Sequence, residues 1–287
     1  MTEAETGVFV AKPDPALRRY VTGVVGYQRA PSESAHTHRG MPSCSALLVI
    51  DFDASITVSG RFGEVCATGG GFVAGLRRRP TLLHQPGAAY GMRVGLTPRG
   101  VRSILGVPLD SLTDRVERTE DVVGSAATHL VDHLISASGW EDRFAILGAF
   151  LRRRAREAHG PLRNPSLPAL DAALDLITAA DGRVRIDWLA DEVGYSRRWF
   201  SERFRSEFGM GPKGVARVAR FENAVRLLAA EPETPLAGLA LRCGFYDQAH
   251  LAAEWRSLSG CTLTEWLREE FVQIADVRTG DRPYVAV

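Results

Sequence analysis

The sequence predicts an α+β protein: a β-rich N-terminal domain carrying a helical hairpin, followed by an all-α domain built from two helix-turn-helix units. Three observations predict it. Short β-branched runs broken by glycine fill residues 45–96, amphipathic helical periods replace them past Pro98, and the last hundred or so residues repeat one short-helix, glycine, long-helix pattern twice.

A chain of 287 residues with 45% hydrophobic and 24% charged content is long enough to bury two cores. It contains no run of about eighteen apolar residues, which argues against a membrane span. The N-terminus MTEAETGVFVAKPD lacks a basic region followed by an apolar stretch, so no secretory signal is expected and the expected location is cytoplasmic. Cys44, Cys66, Cys243 and Cys261 form no CxxC pair and lie mostly among apolar neighbours, as reduced buried thiols do. The net charge of +1 says little for the whole chain, because a basic patch can be cancelled elsewhere.

In the first half, SALLVIDF, ASITVSG, GEVCATGGG, FVAGL, TLLHQ and YGMRVGL have the even spacing of a β-sandwich or small barrel. Residues 124–138 and 140–158 then read as two amphipathic helices joined by a turn. HGPLRNPSLP, with three prolines over 159–168, is the expected linker. The expected domains are therefore 1–158 and 169–272, with a tail over 273–287. Helices are expected near 169–180, 186–193, 197–208, 212–230, 235–243, 248–259 and 263–272, each stopped by glycine or proline.

The repeat appears when LADEVGY, from Leu189, is laid over LALRCGF, from Leu239, at an offset of 50 residues. Further on, Phe200, Phe204 and Gly209 match Leu251, Trp255 and Gly260 at an offset of 51, so the second turn has gained a residue. Ser196 is placed to N-cap one long helix by accepting from the Trp199 amide, and Asp247 to cap the other. Tyr195 with Phe200, and Tyr246 with Leu251, are the expected hydrophobic staples.

These residues resemble the AraC/XylS transcription regulators. The match runs through L-A-x-x-x-G-Y-S-x-x-x-F-x-x-x-F-x-x-x-x-G over 189–209, R-F-E-N-A-V-R-L-L from Arg220, and G-F-Y-D-Q-A-H-L-x-x-x-W from Gly244. Leu251 and Trp255 stand where phenylalanine is usual, and Leu263 where the family has proline. The resemblance implies two helix-turn-helix units joined by a long helix, bound to double-stranded DNA, with no catalytic, metal or cofactor site.

At about 100° per residue, Phe200, Phe204 and Phe208 fall on one side of their helix and Arg198, Glu202, Arg205 and Ser206 on the other, with Ser201 on the flank. The resemblance assigns that exposed face to the major groove. Arg198 is suited to guanine O6 and N7 and Glu202 to cytosine N4, while Arg197 and Arg205 suit phosphates. Between 195 and 220, Arg197, Arg198, Arg203, Arg205, Lys213, Arg217 and Arg220 face only Glu202 and Glu207, a local net charge of five. The equivalent positions of the second unit are Ala249, Ala253 and Arg256, with His250 and Ala252 beside them. Base discrimination is therefore expected from the first unit, and anchoring through Gln248, His250 and Arg256 from the second.

The first half resembles sensor domains attached to some family members, in DPALRRYV near Asp14 and LTPRGVRSILGVP from Leu96 to Pro108. This implies a cupin-like or related fold that can take a small-molecule effector, and a hairpin that can form a homodimer; RNA polymerase is a partner if the chain is an activator. His36 and His38 have the His-x-His spacing of metal-binding cupins, with His84 downstream, but no further ligand follows at the customary distance. A loop before a strand is the reading taken for them. A metal-dependent cupin-type enzyme fused to a DNA-binding module is the competing reading. His129 and His133 read as polar residues of an amphipathic helix, and Arg77–Arg79 and Arg152–Arg154 as solvated edges or ion pairs.

Overall fold

All six residues of the run Ala46–Asp51 are buried, as a strand covered on both faces requires. In the computed structural model, which describes residues 7–12, 14–29, 36–53, 56–59, 65–67, 69–85, 89–157 and 166–269, that strand lies inside a six-stranded sheet. The strands are β1 (Gly7–Ala11), β2 (Val21–Arg29), β3 (His36–Gly40), β4 (Ala46–Asp51), β5 (Thr57–Ser59), β6 (Val65–Ala67), β7 (Gly71–Ala74), β8 (Thr81–Gln85), β9 (Ala89–Leu96) and β10 (Val116–Arg118). Their orders are β1-β2-β9-β4-β7-β10 in one sheet and β3-β8-β5-β6 in the other. Among the described residues these are two separate sheets and not a barrel, which decides between the two β-architectures the sequence allows.

The chain divides into two compact units. The first holds 1–39, 45–75 and 81–161. After β9, Thr97 caps α1 (Pro98–Gly100) by accepting from the Gly100 amide at 3.0 Å; a wide helical turn over Val101–Leu105 follows and Gly106 ends it at φ +78°. Then come α2 (Thr119–Val123), α3 (Ser125–Ser136) and α4 (Trp140–Glu157), the last two forming the expected hairpin.

The larger sheet receives α4 through one tryptophan. Gly26 of β2 has no side chain, and the Trp140 ring occupies the space a Cβ would need, at 2.1 Å from its ideal position. Phe9 of β1 stacks on that ring at 4.5 Å, and Tyr90 of β9 meets it edge-on at 5.9 Å. Arg143, one turn along, is buried with no acidic partner among the described residues: its Nε donates to the Leu134 carbonyl at 3.1 Å and its Nη2 to the Ala137 carbonyl at 2.9 Å, while its guanidinium lies over the Tyr90 and Trp140 rings. Main-chain acceptors thus hold the α3–α4 turn against the cation that crosses it. In the second sheet the two ring nitrogens of His84 lie 3.0 Å from the Thr37 hydroxyl and 2.8 Å from the Ser59 hydroxyl, so hydroxyls, and not other histidines, face them. The His36 side chain and that of Cys66 lie outside the described residues, and no group of three His, Cys, Asp or Glu among the described residues is arranged to hold a metal ion.

The second unit holds 40–44, 76–80 and 162–287. Its helices are α5 (Leu167–Ala179), α6 (Ile186–Glu192), α7 (Arg197–Phe208), α8 (Pro212–Ala230), α9 (Leu236–Arg242) and α10 (Gln248–Ser259), with a further helix over 263–269. The expected linker residues 159–165 and the tail 273–287 lie outside the described residues. Among the described residues no helix is long and apolar enough to cross a membrane.

Candidate nucleic-acid interface

The internal repeat becomes a repeat of shape: α6 and α9 have seven residues each, α7 and α10 twelve each. Each short helix ends in the same glycine turn. Gly194 and Gly244 both sit at φ +75°, a left-handed conformation that a Cβ makes costly. The Tyr195 amide donates to the Ala190 carbonyl at 3.1 Å and the Gly194 amide to Asp191 at 3.0 Å; Phe245 to Ala240 at 2.9 Å and Gly244 to Leu241 at 3.1 Å repeat the pair. This paired closure is the Schellman ending of a helix, and it directs the chain into the longer helix at a set angle.

Both predicted caps are present. Ser196 Oγ accepts from the Trp199 amide at 3.3 Å and Asp247 Oδ1 from the His250 amide at 2.7 Å. The two staple positions differ from each other. Tyr195 stacks on Trp199 at 3.8 Å between ring centroids, and its hydroxyl donates to Ser166 Oγ at 3.3 Å. Trp199, set off the core stripe by the helical angle, therefore leans on the residue that precedes the cap of its own helix. In the second unit the inserted residue is Tyr246, 91% exposed, which cannot cover the buried Leu251; Phe245 points inward instead.

Beneath α7, Phe200, Phe204 and Phe208 are completely buried, with successive ring centroids 5.5 and 4.6 Å apart. Beneath α10, Leu251 and Trp255 take the same places, and Trp255 meets Phe221 of α8 at 4.9 Å and Trp266 at 5.1 Å. The larger indole fills the position where the first unit has phenylalanine.

The polar faces follow. On α7, Arg197, Arg198, Glu202, Arg203 and Arg205 are exposed and Ser201 is half-buried on the flank. Arg197 Nε pairs with Asp187 of α6 at 2.9 Å, and Arg198 Nε with Glu202 at 3.0 Å, both in solvent. On α10, Gln248, Ala249, His250, Ala252, Ala253 and Arg256 are exposed. The basic strip is narrower than the sequence count of charges: Arg217 of α8 is spent inside the unit, its Nε on Glu254 and its Nη2 on Ser257 Oγ at 2.7 Å, and Arg220 Nη1 donates to the Gly182 carbonyl at 3.0 Å. Periodicity could not reveal that clamp, because it joins residues 37 and 40 positions apart.

Residues 189–269 match the family described as "Helix-turn-helix domain". They form an AraC-type helix-turn-helix domain. A chain with this domain is a DNA-binding transcription regulator. Its whole fold is similar to that of ToxT from Vibrio cholerae, at 10% identity, a TM-score of 0.51 and coverage of 92% of this chain and 99% of that one. A second ToxT structure, with an unsaturated fatty acid bound, matches at 11% identity and a TM-score of 0.50, covering 94% and 98%. A regulator with an AraC-type DNA-binding domain from Chromobacterium violaceum is 28% identical over 40% of this chain and 97% of its own, with a TM-score of 0.33. None of the curated proteins compared with the chain matches it.

Within the AraC-type domain the two units are equal in shape and unequal in chemistry. α7 shows a cation and an anion one turn apart, Arg198 and Glu202; α10 shows Ala249 and Ala253 at the equivalent positions.

Proposed function

We propose that this regulator reads its operator chiefly with α7, anchors itself with α10, and is gated through its β-rich half by a small-molecule effector or by dimerisation. Arg198 takes guanine and Glu202 cytosine; Ser201 lies beside them, and Arg197 and Arg205 hold phosphates. Gln248, His250 and Arg256 anchor the second unit. The difference between the exposed faces of α7 and α10 carries this reading: equal scaffolds present Arg198 and Glu202 in one case and Ala249 and Ala253 at the equivalent positions in the other. Residues 1–158 are taken as the sensor, 159–168 as the linker, 169–272 as the DNA-binding domain and 273–287 as a tail. The fatty acid in one similar ToxT structure supports an effector of small-molecule size.

Selection of genomic fragments bound by the purified chain tests the DNA reading. Enrichment of a common sequence is expected; recovery of bulk DNA alone would overturn it. A thermal-shift screen against metabolites, run on the same protein, tests the gate, since a ligand that binds the folded state raises its melting temperature. A hit that also changes affinity for the selected fragment is expected. No ligand shift, together with a monomer at all concentrations, would overturn the gate and leave the DNA reading standing.

A further inference from the structure

The residue that α10's turn has gained over α7's is Tyr246, and the amide it adds to the chain needs an acceptor. His250, the third residue of α10, supplies it: the Tyr246 N–H donates to His250 Nδ1 at 3.1 Å. The same histidine's amide donates to Asp247 Oδ1 at 2.7 Å, and its ring meets the buried Phe245 ring edge-on at 5.5 Å. The imidazole is thus held by a hydrogen bond at one nitrogen and by a perpendicular contact with an aromatic ring. A nitrogen that accepts from an amide carries no proton, so the neutral ring holds its single proton on Nε2. Nε2 has no protein partner among the described residues, and the residue is exposed in the first turn of α10, on the flank of the exposed face opposite Gln248.

We infer that His250 is a tautomer-fixed, uncharged donor to a DNA phosphodiester, with Tyr246 as the positioning residue that fixes its tautomer. This rests on the reading of α10 as the anchoring helix. The alternative ring state, the imidazolium, would forfeit the bond from the Tyr246 amide, because a protonated Nδ1 cannot accept. The contact should therefore add affinity without adding a cation. That distinction is measurable, since each neutralised phosphate steepens the slope of log K against log salt by about 0.9, whereas a neutral hydrogen bond leaves that slope alone.

The full chain is assayed on a mixed-sequence DNA duplex across a salt series. Asparagine can offer its side-chain oxygen near the place of Nδ1 and nothing at the place of Nε2, so His250→Asn should keep the melting temperature and lose affinity by about tenfold with the salt slope unchanged. Arg256→Ala should lower both affinity and slope. In the wild-type protein, nitrogen NMR of the imidazole should show Nδ1 unprotonated and Nε2 protonated, free and with DNA bound, and this reading needs no variant to fold. The inference is overturned if His250→Asn binds like wild type while Arg256→Ala does not, if its slope falls as for a lost cation, or if the ring proton is found on Nδ1. If neither variant changes binding, the anchoring role of α10 fails as well, and the two failures are told apart by Arg256 alone.

Discussion

Arg198 Nε donates to Glu202 Oε1 at 3.0 Å across one turn of α7, with both side chains largely in solvent. An exposed i,i+4 pair of this kind contributes only about 0.3–0.5 kcal/mol to a helix, so DNA can separate the two at little cost. Until then the pair keeps both groups on the outer face. Arg198→Ala should accordingly leave the melting temperature almost unchanged and relax discrimination at one base pair by about 1–3 kcal/mol. Glu202→Ala should relax a different base pair, and Ala253→Ser on α10 should do little. Binding titrations on single-base variants of the selected operator check all three; equal loss at every variant would reassign Arg198 to a phosphate.

Two glycines of the same backbone conformation should respond unequally to alanine. Gly194, at φ +75°, has nothing within 4 Å of the position a Cβ would take, so Gly194→Ala should cost only the left-handed penalty of about 1–2 kcal/mol. Gly182, at φ +71°, would place its Cβ 2.0 Å from the Ala216 carbonyl oxygen of α8. That atom belongs to a helix backbone and cannot step aside, so Gly182→Ala should cost about 1–3 kcal/mol more. Chemical denaturation measures both, and equal losses would show that the α5–α6 turn can yield.

How much of this was legible in the sequence depended on how local the cause was. The bounds of α7, α8 and α10 were legible, because each is set by a cap or proline at one end and a stop at the other. The double unit was legible because Leu189, Ala190, Gly194 and their counterparts recur at one offset. The second staple is not legible: with one residue inserted, the position before the cap turns outward, and periodicity says nothing of the His250 ring that takes up its amide. The choice between two sheets and a barrel was not legible either. It rests on pairings such as β2 with β9, whose partners stand up to 75 residues apart. Arg217 counts toward the basic strip in the sequence for the same reason, its partners being distant in the chain.

The seat of Trp140 on Gly26 predicts a sharp intolerance. A Cβ on Gly26 would meet the indole at 2.1–2.9 Å, and that ring is itself held by Phe9 and by the guanidinium of Arg143. Gly26→Ala should therefore destabilise the β-rich unit by about 1–3 kcal/mol and shift the tryptophan emission as the ring is displaced. Adding Trp140→Leu should recover part of the loss, because the smaller side chain vacates the contested space. Thermal unfolding of the two variants checks this; no recovery in the double variant would mean the clash lies elsewhere.

Within the second unit, Ser43 Oγ donates to Glu222 Oε1 of α8 at 2.8 Å, and the strand-like bridge from Ser43 to Arg77 holds that hydroxyl in place through amide bonds of 3.1 and 3.0 Å. Burial pushes the Glu222 carboxyl above the ordinary value of 4.5, against the lowering effect of the Ser43 and Cys44 donors and of Arg77. The sign of the consequence follows from which state holds the proton more tightly. Below pH 4.5 Glu222 is protonated in both states and carries no penalty; as pH rises past that value the unfolded chain ionises first, and stability falls until the folded carboxyl has ionised too. Glutamine keeps an oxygen for Ser43 and has no charge to bury. Glu222→Gln should match wild type near pH 4.5 and exceed it at neutral pH by on the order of 1 kcal/mol, the gain growing with pH across that interval. Urea unfolding of both proteins from pH 4.5 to 8 checks it; a difference that stays constant with pH would show that Glu222 titrates as a solvated carboxylate.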